Sequence, residues 1–214
     1  MNITELEAAL SKYVPPSSLE ICVQWIVDHR IAMRITKSRN SKYGDYRPPD
    51  GKLGHRISVN HDLNKYAFLI TFTHEVAHLV TWSKHKYRVD PHGTEWKANF
   101  KRLMTPFFNM EVFPKDLVEA VQGYLNNPGS SSCSDLNLMR ALAKHDRRSD
   151  AWTLLEELEA DAVFRTRSGM VFQKGRKMRK NYSCRCVKTR QEYTVNPTTE
   201  VQLVRDFQAS KSGR

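Results

Sequence analysis

An apolar stretch that carries three ionisable side chains is the feature that most constrains this chain. Residues 68–80 are almost entirely apolar, yet they include His74, Glu75 and His78. The apolar pattern over 63–82 predicts a largely buried helix. Two imidazoles and a carboxylate are costly in such a helix unless a partner satisfies them, and a metal ion does so. The competing interpretation is a pair of core histidines beside a fortuitous glutamate.

The spacing H-E-x-x-H predicts a catalytic zinc site with one ion per chain. His74 and His78 are four residues apart, so they share one face of a helix and can both bind one zinc ion. Glu75 points to the side of that face, where its carboxylate can act as a general base. This division of roles is the one that a zinc metalloprotease needs.

A catalytic zinc ion needs a third protein ligand, and the residues that follow the helix offer several candidates. The extended pattern H-E-x-x-H-x-x-G-x-x-H is excluded, because Thr81 and Lys84 stand where glycine and histidine would be required. His85 falls in a basic segment, and we expect it to be an exposed loop residue. His92 directly precedes a predicted helix and can turn back to the metal. Glu95 is its rival as a ligand, and it is also well placed to hydrogen-bond a ligand from outside the ligand set or to be a carboxylate at the helix start.

The rest of the chain predicts an α+β protein with a helical, zincin-like metalloprotease core, a small antiparallel sheet and a carboxy-terminal β-ribbon. The predicted helices cover 3–13, 18–29, 63–82, 94–106, 114–125 and 134–144, with a short one at 154–162. The predicted strands of the small sheet cover 31–37, 43–46 and 56–60, arranged as an antiparallel meander. We therefore expect a metalloprotease domain over 1–163, a basic ribbon over 164–208 and a flexible tail over 209–214.

The positive charge is concentrated in the last quarter of the chain. The formal net charge is +11, and residues 165–214 alone hold thirteen Lys/Arg against three acidic residues. Such segregation favours an anionic partner, with DNA as the first candidate. The alternative is a solvated surface that aids solubility. The candidate DNA-binding residues are Lys174, Arg176, Lys177, Arg179, Lys180, Arg185, Lys188 and Arg190.

Aromatic residues alternate with these charges, notably Phe172 and Tyr182. We expect both rings to point inward as core, while the charged face contacts the phosphate backbone or single strands. No device for reading a base sequence is apparent, so we expect DNA binding without sequence specificity.

The four cysteines are few and irregularly spaced, which is typical of reduced thiols rather than of a disulfide framework. No long apolar run and no secretory leader pattern occurs. We therefore expect a cytoplasmic protein, associated with the nucleoid if it is bacterial.

Residues 57–96 resemble the SprT-like metalloprotease domain. The resemblance depends on the motif T-H-E-V-A-H at 73–78 and on H-G-T-E-W-K at 92–97. It implies that His74, His78 and His92 bind zinc and that Glu75 is catalytic, so it favours His92 over Glu95 as the third ligand. It also implies that the substrates are proteins associated with DNA, such as DNA-protein crosslinks.

The carboxy-terminal part departs from the zinc ribbon that the resemblance implies. Cys184 and Cys186 could be the remnant of a first ligand pair, but no second pair follows them. We expect a metal-free β-ribbon, and the alternative is a site completed by a distant ligand such as Cys133.

These observations predict a zinc-dependent endopeptidase that acts on DNA-associated proteins. One alternative is a DNA-binding or regulatory module with a non-catalytic zinc site. A second is a zinc hydrolase of small peptides, for which the basic ribbon would be incidental. Glu75 separates the first two hypotheses, because a purely structural zinc site has no need of that carboxylate.

Overall fold

The chain forms two compact units, Met1–Asp146 and Arg147–Arg214. The computed structural model describes residues 2–39, 42–129, 135–146 and 151–204. The predicted tail at 209–214 and the alternative ligand Cys133 lie outside these ranges. Within them, no helix combines the length and the apolar character that crossing a membrane requires.

The first unit is mainly helical, and its helices follow the predicted ones closely. Two of them extend three residues beyond their predicted ends, to His85 and to Asn109. The second extension passes Pro106, whose carbonyl still accepts a hydrogen bond from the N–H of Met110. The helices are α1 (Ile3–Leu10), α2 (Leu19–Asp28), α3 (Lys65–His85), α4 (Thr94–Asn109), α5 (Lys115–Asn126) and α6 (Leu136–Ala143).

Helix α3 is the central element of this unit. Its amino terminus is capped by Asn64, whose side chain accepts hydrogen bonds from the N–H groups of Tyr66 and Ala67. Apolar residues on several of its faces, including Phe68 and Phe72, are fully buried in the core. A helix that is apolar nearly all round is stable only when other elements surround it. The H-E-x-x-H motif is therefore carried by the most enclosed element of the unit.

A three-stranded sheet packs beside α3, and its topology differs from the prediction. The strands are β1 (Ala32–Thr36), β2 (Gly44–Arg47) and β3 (Arg56–Asn60), in the order β1-β3-β2. Strand β1 pairs in parallel with β3, whereas β2 pairs with β3 in antiparallel fashion. The predicted antiparallel meander is thus wrong for one of the two pairs. Because β3 lies between β1 and β2, the strand β2, which is next to α3, is an edge strand.

The second unit is a six-stranded antiparallel sheet of order β4-β9-β5-β6-β7-β8. A small core of Phe164, Phe172, Cys184, Cys186 and neighbouring aliphatic residues holds it together. The strands are β4 (Thr153–Leu154), β5 (Val163–Thr166), β6 (Val171–Lys177), β7 (Tyr182–Cys186), β8 (Glu192–Val195) and β9 (Glu200–Leu203). Helices and sheets together confirm the predicted α+β class.

The segment 151–163 belongs to this second sheet and not to the helical unit. The helix predicted over 154–162 is wrong, because β4 and a 3-10 turn (Leu155–Glu157) stand there. Strand β4 pairs with β9, almost fifty residues later in the chain. The boundary that we predicted between 163 and 164 therefore falls inside β5.

Candidate metal centre

Three histidine side chains converge at one point in the first unit. The Nε2 atom of His74 lies 3.2 Å from Nε2 of His78 and 3.3 Å from Nε2 of His92. One possible ligand atom from each of the three histidines lies within 4.8 Å of the corresponding atoms of the other two histidines. Within the described ranges, no other group of histidines, cysteines or carboxylates is gathered in this way.

The geometry of this triad fits a tetrahedral zinc ion. With Zn–N bonds of about 2.0–2.1 Å, tetrahedral angles put neighbouring ligand nitrogens about 3.3–3.4 Å apart, close to the observed separations. A hydrogen bond can join only one pair of these nitrogens at a time. Three converging lone pairs are therefore better satisfied by a cation.

The electrostatics of the triad also suit a metal, because a histidine ligand must be neutral. Burial, and then the neighbouring His78 and His92, lowers the pKa of His74 to about 2. Burial, followed by His92, lowers the pKa of His78 to about 3. The pKa of His92 is lowered by burial and by Lys97. At neutral pH all three imidazoles consequently present lone pairs.

One aromatic side chain, Trp96, packs against all three histidines. Its ring centroid is 4.6 Å from that of His74, 5.3 Å from that of His78 and 4.8 Å from that of His92. Trp96 is completely buried and stacks on Phe100 one turn further along α4. The sequence analysis did not assign it a role. Its position in the first turn of α4, four residues after His92, is the signal that could have identified it.

Glu95, the rival third ligand, and His85 both lie outside the triad. Glu95 is in the first turn of α4, and its carboxylate lies beside the backbone of Gly93 rather than in the triad. It therefore has the position of a helix-start carboxylate. His85 is the last residue of α3, half-buried rather than in an exposed loop, and it is not part of the triad.

Glu75 is buried between α3 and the edge strand β2. Only 7% of the residue is exposed, and its carboxylate lies against the backbone of Gly44 on β2. Burial, and then the charge of Asp45, raises the pKa of Glu75 to about 8, against the opposing effect of Lys42 and Arg39. A positively charged ion at the adjacent triad favours the ionised carboxylate. The protonation of Glu75 is thus sensitive to its surroundings, as a proton-transferring group requires.

Seven of the eight predicted DNA-binding residues are exposed on the second unit. They are Arg176, Lys177, Arg179, Lys180, Arg185, Lys188 and Arg190. The Arg185 guanidinium lies 3.6 Å from the Glu192 carboxylate, in an exposed pair that contributes little.

Lys174 is the exception, because the structure buries it away from any DNA-binding surface. It is 4% exposed, and its ammonium donates to the backbone carbonyls of Glu156 and Leu158 and lies 4.4 Å from the centre of the Tyr182 ring. The reason is strand alternation, since residues two apart share a face and the core residue Phe172 precedes Lys174 by two. Its predicted role in DNA binding is corrected accordingly.

Cys184 and Cys186 face the core of the second unit and are both buried as free thiols. Side chains alternate between the two faces of a strand, and these cysteines lie on the same face as Phe172 of the neighbouring strand β6. Cys186 pairs directly with Phe172. Neither thiol is part of a metal-binding cluster within the described residues. Their observed role is to fill a small core.

A family model described as the SprT-like family matches residues 12–116. The matched region contains the three histidines, Glu75 and the three-stranded sheet, and it ends at the start of α5. No curated protein and no solved structure matches the chain.

Proposed function

We propose, from the match of residues 12–116 to the SprT-like family model, that the protein is a zinc-dependent endopeptidase that cleaves proteins associated with DNA, such as DNA-protein crosslinks. One observation carries the proposal. Three imidazole nitrogens converge beside Glu75, a buried glutamate on the helix that also carries His74 and His78.

The roles of the residues follow from their positions. His74, His78 and His92 would hold one zinc ion through their Nε2 atoms. When bound there, zinc acidifies a water molecule and polarises the carbonyl of the peptide bond. Glu75 would take the proton from the attacking water and pass it to the leaving amine. Trp96 fixes the orientation of the three imidazoles by packing against each ring.

The buried carboxylate favours an enzyme over a module with a structural zinc site. A structural site gains nothing from a carboxylate next to a ligand, and burying that group costs free energy. The alternative of a small-peptide hydrolase predicts no effect of DNA on activity. The proposed function predicts that DNA brings enzyme and substrate together.

The second unit supports the DNA-directed part of the proposal through its charge. Its seven exposed candidate cations come from two adjacent strands and the turns that follow them. Cations on such a surface bind phosphates and release counterions, which gives affinity without sequence preference. Protein substrates would then be selected by their location on DNA.

The combined charge reversal Lys177→Glu, Arg179→Glu and Lys180→Glu tests this part. We expect at least a tenfold decrease in affinity for single-stranded DNA. The log–log salt dependence should become shallower by about 2, because each phosphate that a cation neutralises on a single strand adds about 0.7 to that slope. Cleavage of a protein crosslinked to DNA should slow in parallel, while cleavage of a free peptide should not change. Fluorescence anisotropy and a gel-based cleavage assay measure the two effects.

The matched control reverses three exposed charges of the first unit, Lys101→Glu, Arg102→Glu and Lys115→Glu. Both triple variants change the net charge equally. If the control loses DNA affinity to the same degree, the effect comes from overall charge and the ribbon is not the DNA-binding surface.

A further inference from the structure

A glycine on the edge strand makes an unusually close approach to Glu75. Gly44 is the first residue of β2. A Cβ atom built on Gly44 would lie 2.5 Å from Oε1 of Glu75 and 2.8 Å from its Cγ. It would also lie 2.8 Å from Cγ2 of Thr71, one turn earlier on α3. Real Cβ atoms essentially never make contacts below 3.0 Å, so no other residue fits here without a shift.

The backbone at Gly44 does not itself require glycine. Gly51 and Gly169 have φ angles of 55° and 84°, in the left-handed region that disfavours side chains. Gly44 is not among the residues with positive φ. The glycine at this position is therefore explained by space next to α3, and that space is filled by the Glu75 side chain.

We propose that Gly44 is a positioning residue for Glu75, an inference that rests on the proposed function. The missing side chain lets β2 approach α3 so closely that the Glu75 side chain packs directly against Gly44. The Glu75 carboxylate is thereby held between β2 and α3. Helix α3 also carries His74 and His78. Gly44 acts only through Glu75, whose carboxylate takes the proton.

Close placement of this carboxylate matters because proton transfer requires hydrogen-bond reach. A general base works within about 2.6–3.2 Å of the proton that it takes, and a displacement of about 1 Å can cost about a hundredfold in rate. A methyl group at position 44 must move either the Glu75 side chain or β2. Either movement changes the contact that holds the Glu75 carboxylate against β2.

Gly44→Ala is therefore expected to lower kcat by about a hundredfold while KM and zinc content stay within about twofold of the wild type. The matched control is Gly54→Ala, just before β3, where the nearest atom to a built Cβ is 3.9 Å away and φ is not positive. This control should keep wild-type kcat. A Gly44→Ala protein with wild-type kcat would overturn the proposal.

Thr71 provides a second variant in case Gly44→Ala folds poorly. Gly44→Ala combined with Thr71→Ser removes the clash with Cγ2 of Thr71 and leaves the clash with Glu75. We expect this double variant to fold, to hold zinc and to remain about as slow as Gly44→Ala. Recovery of wild-type kcat would mean that Gly44 serves the packing of Thr71 alone, which would contradict the proposal.

Binding of acetohydroxamate gives a readout that does not depend on turnover. A hydroxamate binds a zinc ion and shares its proton with the base carboxylate, so its affinity reports where that carboxylate lies. Calorimetry should give about tenfold weaker binding for Gly44→Ala, and no further weakening when Gly44→Ala is added to Glu75→Gln. Equal weakening in both backgrounds would contradict action through Glu75.

The failure of this inference differs from failure of the proposed function. If the wild type cleaves peptides and Glu75→Gln does not, but Gly44→Ala is fully active, only the role of Gly44 is wrong. If the wild type does not cleave, or Glu75→Gln cleaves normally, the proposed function itself is wrong.

Discussion

Glu75→Gln is expected to abolish peptide-bond cleavage while the protein still binds one zinc ion per chain. The amide has nearly the same size and shape as the carboxylate, so the triad of His74, His78 and His92 should keep its geometry. The amide cannot take up a proton, and general acid–base catalysis contributes about 10²–10⁴-fold to rate. We therefore expect kcat to fall by about 10²–10⁴-fold, with zinc content measured by mass spectrometry unchanged.

The matched control for this variant is Glu95→Gln. Glu95 is also a glutamate close to the site in sequence, but its carboxylate lies at the start of α4 and outside the triad. We expect it to keep zinc and activity within about threefold, since a helix-start carboxylate contributes about 0.3–1 kcal/mol to stability only. An active Glu75→Gln protein would remove Glu75 from the mechanism. Loss of zinc in Glu95→Gln would make Glu95 the third ligand.

His74→Ala is expected to remove zinc from the protein and activity with it. Residues that only orient a metal ligand contribute about ten- to a hundredfold to metal affinity, so loss of the ligand itself should cost more than a hundredfold. His74 is also the residue whose Nε2 atom lies close to both of the other ligand nitrogens. We expect zinc content to fall from about one ion per chain to near zero after dialysis.

The comparison set for this prediction consists of three histidine variants. His78→Ala and His92→Ala should lose zinc as His74→Ala does, because all three nitrogens belong to one cluster. His85→Ala, at the end of the same helix but outside the cluster, should retain it. Zinc retained by both His74→Ala and His92→Ala would contradict the ligand assignment.

The part of the site carried by one helix was predictable from sequence. Helical geometry is local, so the spacing of His74 and His78 places them together before any tertiary contact is known. His92 depends on a chain reversal between α3 and α4, and spacing alone left Glu95 as an equal candidate. The resemblance to a family decided between them, and the structure places the His92 nitrogen beside His74.

Non-local contacts account for most of what the sequence analysis missed. Alternating strands look the same whether their neighbours are parallel or antiparallel, so the pairing of β1 with β3 was not visible. Residues 154–162 were predicted to be a helix because β9, which pairs with β4 at the start of this segment, lies far along the chain. The close approach of Gly44 to Glu75 likewise joins a strand and a helix about thirty residues apart.

The prediction for Lys174 was wrong for a different reason, because the local strand alternation already contained the information needed to place it. Charge alone grouped it with the exposed cations around it. The strand alternation that correctly placed Phe172 in the core also assigns Lys174 to the inward face. A buried ammonium is acceptable there because the carbonyls of Glu156 and Leu158 and the Tyr182 ring satisfy it.

Zinc titration of the metal-stripped protein tests the central claim most directly. The protein is treated with a chelator and dialysed, and cleavage of a protein substrate is then measured as zinc is added back in fractions of an equivalent. We expect no cleavage without zinc, and a rate that rises linearly to a plateau at one equivalent per chain. Cleavage that survives removal of zinc, or a protein that remains inactive at every zinc level, would contradict a catalytic zinc ion held by His74, His78 and His92.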